Sequence, residues 1–422
     1  MTVTTGTLER RGRPALRRER AARLRVVPDG QRVRAAAVRG APSRDAVALS
    51  GLVAAFCVFG LVMVLSSSSV SSIATYGSPW SIVERQGLWS VVGAIAFVVT
   101  ARMGLQFWRR VAVPLLVTTG VMLLAVLVRG VGSVAGGSSR WIGFGMLRVQ
   151  PSEIAKLAAV IFVSDLIGRR SKGTGEPVDV VRPVVIALVA LAILIVRQPD
   201  LGTAAVVVTV GGVLLYAGGV PMRKVAALGV TFAVLGAAFL VIEPYGRARL
   251  SGFINPFAHS TTSGYQVVQS LVTLGSGHML GTGLGGSPAA WGFLPNASTD
   301  FIYSIIGNNF GLVGSLGVLV GFVLLGWLGV RIASRATDRF ARLVATGITT
   351  WIVVQALINI GGVIGVVPET GIPLPFLSSG GSSLVVLLAA MGVLVRIARH
   401  PDEKTRSASE HDRVRRRAAA AR

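Results

Sequence analysis

The sequence predicts an all-α integral membrane protein with ten transmembrane helices, and three observations carry that prediction. Of its 422 residues, 52% are hydrophobic and 14% charged, with a mean hydropathy of +0.67, whereas an ordinary soluble domain carries about a quarter charged residues. The charges crowd at the ends: Met1 to Asp45 holds 12 Arg and 4 acids, and Arg396 to Arg422 holds 9 basic residues and 4 acids, nearly half of the 60 charges. Between these ends lie ten apolar runs, bounded by charges or turn residues, of about the length a bilayer crossing needs. A soluble globular protein is thereby excluded. The single cysteine, Cys57 in the first apolar run, excludes an intramolecular disulfide and a Cys-based metal site.

The elements follow in order. Residues 1–46 read as a basic, disordered cytoplasmic tail, and no cleavable signal peptide is expected, because the first apolar run starts late and is long enough to span. The membrane domain, residues 47–397, comprises Val47 to Ser66, Gly87 to Met103, Val111 to Val128, Ser152 to Ile167, Pro183 to Val196, Leu201 to Gly218, Val225 to Ile242, Phe301 to Val330, Leu343 to Val367 and Ser382 to Ile397. The fifth run is short and the eighth overlong. Residues 398–422 form a second basic cytoplasmic tail. Ten crossings put both tails on one side. With that side inside, inner loops hold thirteen Lys and Arg and outer loops seven, in the sense the positive-inside rule requires. A multi-pass protein of a cytoplasmic membrane, with both termini inside, is the expectation. Basic tails can meet nucleic acid, but each of these abuts an apolar segment, so attraction to anionic membrane lipids is the reading, with no nucleic-acid partner.

One connection is anomalous. Glu243 to Thr299, with residues 244–299 as a large extracytoplasmic loop, separates the seventh and eighth runs in a chain whose other loops are short, and long loops in compact proteins are commonly functional. Val267, Val268, Leu271, Val272 and Leu274 predict an ordered piece lying at the interface.

Charged residues at the membrane edge are the candidates for chemistry, since each costs about 3 kcal/mol or more near a helix centre unless paired or hydrated. Glu153 and Lys156 share a face of the fourth span at i, i+3 spacing, either as part of a site or as a self-neutralising packing pair. Asp200, in Arg197-Gln198-Pro199-Asp200-Leu201-Gly202-Thr203, reads first as a helix cap. Asp300 by local rules is a first-turn carboxylate favoured by the helix dipole. Its location raises it further: it is the only carboxylate between Glu243 and Asp338, on the same outer side as Arg140, Lys156, Arg197, Arg247 and Arg249. A lone anion facing several cations suits an anionic substrate and one base. His259 and His278 lack metal-ligand spacing, and Gly281-x-Gly283-x-Gly285-Gly286 has neither the strand nor the lysine of a phosphate-binding loop. Gly380-Gly381-Ser382-Ser383 reads as a cap or a bend allowing close helix contact.

These residues resemble the SEDS (shape, elongation, division and sporulation) family of membrane proteins. The matching segments, in order, are Arg140-Trp141-Ile142 with Gln150-Pro151-Ser152-Glu153-Ile154-Ala155-Lys156-Leu157; Gln198 to Thr203; Gly264-Tyr265-Gln266-Val267-Val268-Gln269-Ser270; Thr299-Asp300-Phe301-Ile302; and Gly371-Ile372-Pro373-Leu374-Pro375-Phe376 with Gly380 to Ser383. The resemblance implies ten transmembrane helices and a peptidoglycan glycosyltransferase that polymerises lipid II at the outer membrane face, with inversion at the donor's anomeric carbon and release of undecaprenyl pyrophosphate. It implies a class B penicillin-binding protein as partner, alongside other division proteins. It assigns the catalytic carboxylate to Asp300 and places Trp141, Glu153 and Lys156 in the functional cavity. Arg140, Arg197, Arg247 and Arg249 join Lys156 as candidates to hold pyrophosphate, with Glu153 orienting Lys156. The chain departs from the family's pattern at Ser298 (commonly His), Asn308-Asn309 (commonly Glu-Glu), Ser379 (commonly aromatic) and Asn255 (commonly Asp). No cofactor is certain, and a divalent cation, Mg or Mn, is left open. A lipid-precursor transporter and a catalytically silent division scaffold are the rival readings, and the long basic N-terminal tail tilts the choice from the elongation to the division type.

Overall fold

The structure, a computed structural model, describes residues 43–128, 132–135, 138–144, 147–170, 178–286 and 292–403. A helix stands where each of the ten apolar runs was expected. They are α1 (Arg44–Tyr76), α2 (Ser81–Arg102), α3 (Leu105–Leu127), α4 (Pro151–Arg170), α5 (Val178–Val196), α6 (Leu201–Ala217), α7 (Met222–Ile242), α10 (Ile302–Arg335), α11 (Arg339–Val363) and α12 (Gly381–Arg399). Two further helices, α8 (Pro244–Ile254) and α9 (Tyr265–Gly275), order the long loop, as its apolar spacing suggested. Among the described residues, seven helices are long and apolar enough to cross a membrane, and Val181–Val196 and Leu201–Ala217 are shorter apolar helices. The remaining one, α4, has Glu153, Lys156 and Asp165 buried along its length. The predicted tails lie almost wholly outside the described residues, although α1 already begins at Arg44 and α12 runs to Arg399.

Three features depart from the expected runs for physical reasons. The first helix continues ten residues past Ser66, where its serines return their hydroxyls to the helix: Ser68 Oγ donates to Val64 O at 2.6 Å and Ser71 Oγ to Ser68 O at 3.0 Å. Between α3 and α4 the chain forms an unforeseen antiparallel sheet, β1 (Gly132–Ala135), β2 (Ser138–Phe144) and β3 (Leu147–Val149), in the order β1-β2-β3. Strands this short, rich in Gly and Ser, carry little apolar alternation to read.

The overlong eighth run is explained by a break. At 34 residues α10 is about 50 Å long, well beyond the roughly 30 Å of a bilayer's hydrocarbon, and Gly311 interrupts it at φ 65°, ψ −159°. The loop from His278 to Gly283 repairs the interrupted ladder. Thr282 N donates to Asn308 O (2.9 Å) and Gly283 N to Asn309 O (3.1 Å), while Leu312 N donates to His278 O (3.0 Å) and Val313 N to Met279 O (3.3 Å). Unsatisfied backbone groups are too costly to leave at that depth. Gly281, at φ 85°, is part of this repair, and a Cβ on it would sit 2.2 Å from Asn309 O. Gly281→Ala is therefore expected to lower stability by more than about 1 kcal/mol, read as a drop in unfolding temperature in detergent.

The core forms around α11, which packs on α4, α6 and α10 and buries Trp351 and Phe340. Helices α2 and α12 pack along much of their length and are tied by Thr100 Oγ1 donating to Ala389 O at 2.9 Å. By contrast, α7 buries none of its residues and presents apolar side chains outward, as a lipid-facing helix does. Ion pairs gather the helix ends opposite the long loop. Asp45 of α1 meets Arg331 of α10 at 3.1 Å and also Arg335, and Asp165 of α4 meets Arg109 at 3.2 Å and Arg169 at 2.7 Å. Thr337 N, just past α10, donates to Pro401 O at 3.0 Å. The start of α1 and the segment after α12 thus share one side, as an even number of crossings requires.

Candidate active site

Asp300 sits in the turn that leads into α10, on the side of the molecule opposite those ion pairs. Its amide donates to Asn296 O at 3.1 Å, and its carbonyl accepts Asn359 Nδ2 of α11 at 2.8 Å. The same Nδ2 donates to Ile372 O at 2.8 Å, so one buried amide pins both the Asp300 turn and the segment that follows α11. That segment is sewn down further: Ser379 N donates to Ser298 O at 2.8 Å, Ser378 Oγ donates to Thr299 O, and Leu374 N donates to Ser378 Oγ at 2.9 Å.

Two guanidiniums converge on this carboxylate. Arg140, on β2, is anchored by Nε to Gln198 O at 2.9 Å and by Nη2 to Pro199 O. Arg249, on α8, is anchored by Nη1 to Glu369 O at 2.9 Å. All three groups ring Gly371: a Cβ built on it would lie 3.4 Å from Arg249 Nη2, 3.7 Å from Asp300 Oδ2 and 4.0 Å from Arg140 Nη1. Gly371 has φ 69°, a conformation open to glycine and strained for other residues. Gly371→Ala is accordingly expected to displace this constellation and cut turnover roughly tenfold or more while the helices remain folded, checked by turnover alongside circular dichroism.

A small cleft beside them is lined by Asp300, Phe301, Asn359, Glu369, Thr370, Gly371 and neighbours. Burial pushes the Asp300 carboxyl up to about 6, against the pull of Arg249 and Arg140; Asp200 raises it further and a hydrogen bond from Thr299 lowers it. Glu369 is pushed up by burial to about 7, with Arg249 pulling down and Asp300 pushing up. A base whose proton affinity approaches neutrality, beside two fixed cations, can accept a proton and hold developing negative charge together.

The structure distributes the other expected residues unevenly. Trp141 follows Arg140 on β2, in register with Ser133, and is partly buried. Asp200 caps α6, accepting Thr203 N at 3.2 Å, and also accepts Ser152 Oγ at 3.1 Å. Glu153 and Lys156 do not open into the cleft: both are buried, and Lys156 Nζ is engaged by Glu153 Oε1 at 2.8 Å, by Gln355 Oε1 at 2.7 Å and by the Trp351 ring 5.2 Å away. Ser383 Oγ completes the network on Glu153 Oε2 at 2.9 Å. They form a strut joining α4, α11 and α12 and are not among the residues that line the Asp300 cleft. Arg197 and Arg247 are exposed, whereas Arg140 and Arg249 stand beside Asp300.

Asp300 is also not the lone carboxylate it was expected to be. Glu369 reaches the same cleft from the loop after α11, and with its amide nitrogen turned toward it Gln266 of α9 donates to both carboxylate oxygens, at 2.9 and 2.8 Å. The sequence held a usable signal, Pro368-Glu369-Thr370-Gly371, a charged turn after an apolar run. Asn359 had none, being one polar residue inside a span. Among the described residues no group of three or more His, Cys, Asp or Glu side chains could hold a metal ion. Two carboxylates already facing Arg140 and Arg249 do not make a divalent-cation cradle, and no step below uses one.

A family model described as a cell cycle protein of the FtsW, RodA and SpoVE type matches residues 47–403. The chain is 40% identical to the probable peptidoglycan glycosyltransferase FtsW of Mycobacterium tuberculosis, over 88% of this chain and 71% of that one. It also resembles a chain solved in a study of how a peptidoglycan synthase complex coordinates polymerization and crosslinking, with TM-score 0.69, 25% identity, and coverage of 84% of this chain and 98% of the other. A mutant of the Thermus thermophilus rod shape determining protein RodA matches with TM-score 0.63 and 25% identity, over 84% of this chain and 97% of that one.

Proposed function

Because the chain belongs to the FtsW/RodA/SpoVE family and is a peptidoglycan glycosyltransferase of the FtsW type, we propose that it polymerises lipid II at the outer membrane face during division, with Asp300 as the general base. The observation that carries this reading is the convergence of Asp300, Arg140 and Arg249 on Gly371.

The reaction joins the acceptor sugar's 4-hydroxyl to the donor's anomeric carbon and breaks the bond to undecaprenyl pyrophosphate. The hydroxyl must shed its proton as it attacks, and a positioned carboxylate supplies that step, for roughly 10²–10⁴ in rate. Pyrophosphate leaves as an anion and needs no acid, unlike the alcohol expelled in glycoside hydrolysis. It needs cations, and Arg249 and Arg140 are held beside the base by hydrogen bonds to the main chain.

In this reading ten helices cross the cytoplasmic membrane, both ends of the chain are cytoplasmic, and the long loop with its cleft faces outward. The likeness to a chain from a peptidoglycan synthase complex supports a crosslinking partner, a class B penicillin-binding protein. Purified protein, with that partner where required, should convert labelled lipid II to glycan. Reconstituted vesicles that translocate labelled lipid II and make no polymer would replace the enzyme by a transporter.

A further inference from the structure

We propose that Glu369 is a positioning residue for the leaving group: protonated, it leaves Arg249 to the donor's pyrophosphate, and ionised, it competes for that guanidinium. The inference rests on the reading of Asp300 as base and adds a second, pH-responsive carboxylate to the same cleft.

Glu369 is fixed from two elements. Arg249 Nη1 of α8 donates to its main-chain oxygen at 2.9 Å, and Gln266 of α9, with its amide nitrogen turned toward Glu369, donates to the carboxylate oxygens at 2.9 and 2.8 Å. It stands two residues before Gly371, the point where Arg249, Asp300 and Arg140 converge, and it lines the cleft with Asp300 and Asn359. The charged groups facing it are Arg249 from α8 and Asp300 from the turn before α10. Arg140 from β2 and Asp200 at the start of α6 act on Asp300 in turn, while Asn359 of α11 and Gln266 of α9 are neutral.

Charge counting shows what ionisation does. With Glu369 protonated, two guanidiniums face the carboxylates of Asp300 and Asp200. Ionising Glu369 adds a third anion against the same two cations, and an entering pyrophosphate then meets a cleft of its own sign, within the few ångströms where such repulsion is strong. Burial holds this change near pH 7, where it alters the enzyme's working state. Gln266, by donating to the ionised form, keeps the transition from lying higher.

The test follows polymerisation of labelled lipid II by the purified full-length protein, with its partner where required, from about pH 5 to about pH 9. In the wild type kcat/KM should describe a bell, and on its alkaline side KM for lipid II should rise by up to about tenfold per pH unit. Glu369→Gln should lose the alkaline limb and show a KM flat in that range. Gln266→Leu, which removes the donor but keeps the acid, should move the limb to higher pH. A merely structural Glu369 would change the height of the profile and leave its alkaline limb in place. A wild type with no alkaline limb, a limb retained in Glu369→Gln, or a limb unmoved in Gln266→Leu overturns the proposal. Asp300→Asn protein is assayed alongside, and polymerisation there close to the wild-type rate would overturn the reading on which the proposal rests instead.

Discussion

Asp300→Asn is expected to lower lipid II polymerisation by about 10²–10⁴-fold, the contribution of a positioned general base, while expression, helix content and unfolding temperature stay close to wild type. Asparagine fills the same volume and keeps the side chain polar. The main-chain bonds that hold the turn, from Asp300 N to Asn296 O and from Asn359 Nδ2 to Asp300 O, do not involve the carboxylate. What disappears is the one group on the turn that can take a proton, together with the negative charge facing Arg249 and Arg140. Stability should not fall, because burial opposes the ionised form at this position and the neutral amide avoids that cost. The loss should therefore appear in kcat, with KM for lipid II unchanged or lower, since two guanidiniums remain and an opposing anion is gone.

The second large effect concerns folding. Lys156→Met is expected to destabilise the protein by about 3–5 kcal/mol, because it leaves Glu153 charged, buried and without its cation. Gln355 would keep Trp351 Nε1 on its Oε1 but lose the ammonium there, loosening the join between α4 and α11. The double variant Glu153→Gln with Lys156→Met should recover most of the loss, since it removes both charges and leaves an amide for Ser383. Unfolding temperature of the purified variants in detergent is the readout. A single variant as stable as the wild type would show that the pair does not act as a strut.

Hydropathy made the architecture legible, because a bilayer imposes length and composition on every crossing, and each of the ten apolar runs became a helix. The serines after Leu65 hid the end of α1, since a hydroxyl that bonds its own helix cannot be told from one that leaves it. Gly311 hid the break in α10 for the converse reason: glycines are common within these spans, and only the loop from His278 to Gly283 shows which of them interrupts the ladder.

At the candidate site, the local charge pattern singled out Asp300 and the loop side it lies on, and both Arg140 and Arg249 stand beside it. It could not separate these from Arg197 and Arg247, which share that side but are exposed, because charge counting assigns a loop and not a direction. Lys156 read either toward a ligand or as a self-neutralising pair with Glu153, because an intramembrane charge demands a partner, and the pair is what forms. Its actual partners, Glu153 and Gln355, come from an adjacent turn and a helix almost two hundred residues away. Glu369 was passed over for its setting, a turn between two spans, and only folding brings Arg249 and Gln266 from the long loop onto it.

The measurement that bears most directly on the central claim is the pH dependence of single-turnover polymerisation at saturating lipid II. If Asp300 takes the acceptor's proton, the wild-type rate rises as its carboxyl ionises, through about 6, and the residual rate of Asp300→Asn shows no such limb. A wild-type rate that is level across that range, or an asparagine variant that reproduces the wild-type limb, would contradict the assignment.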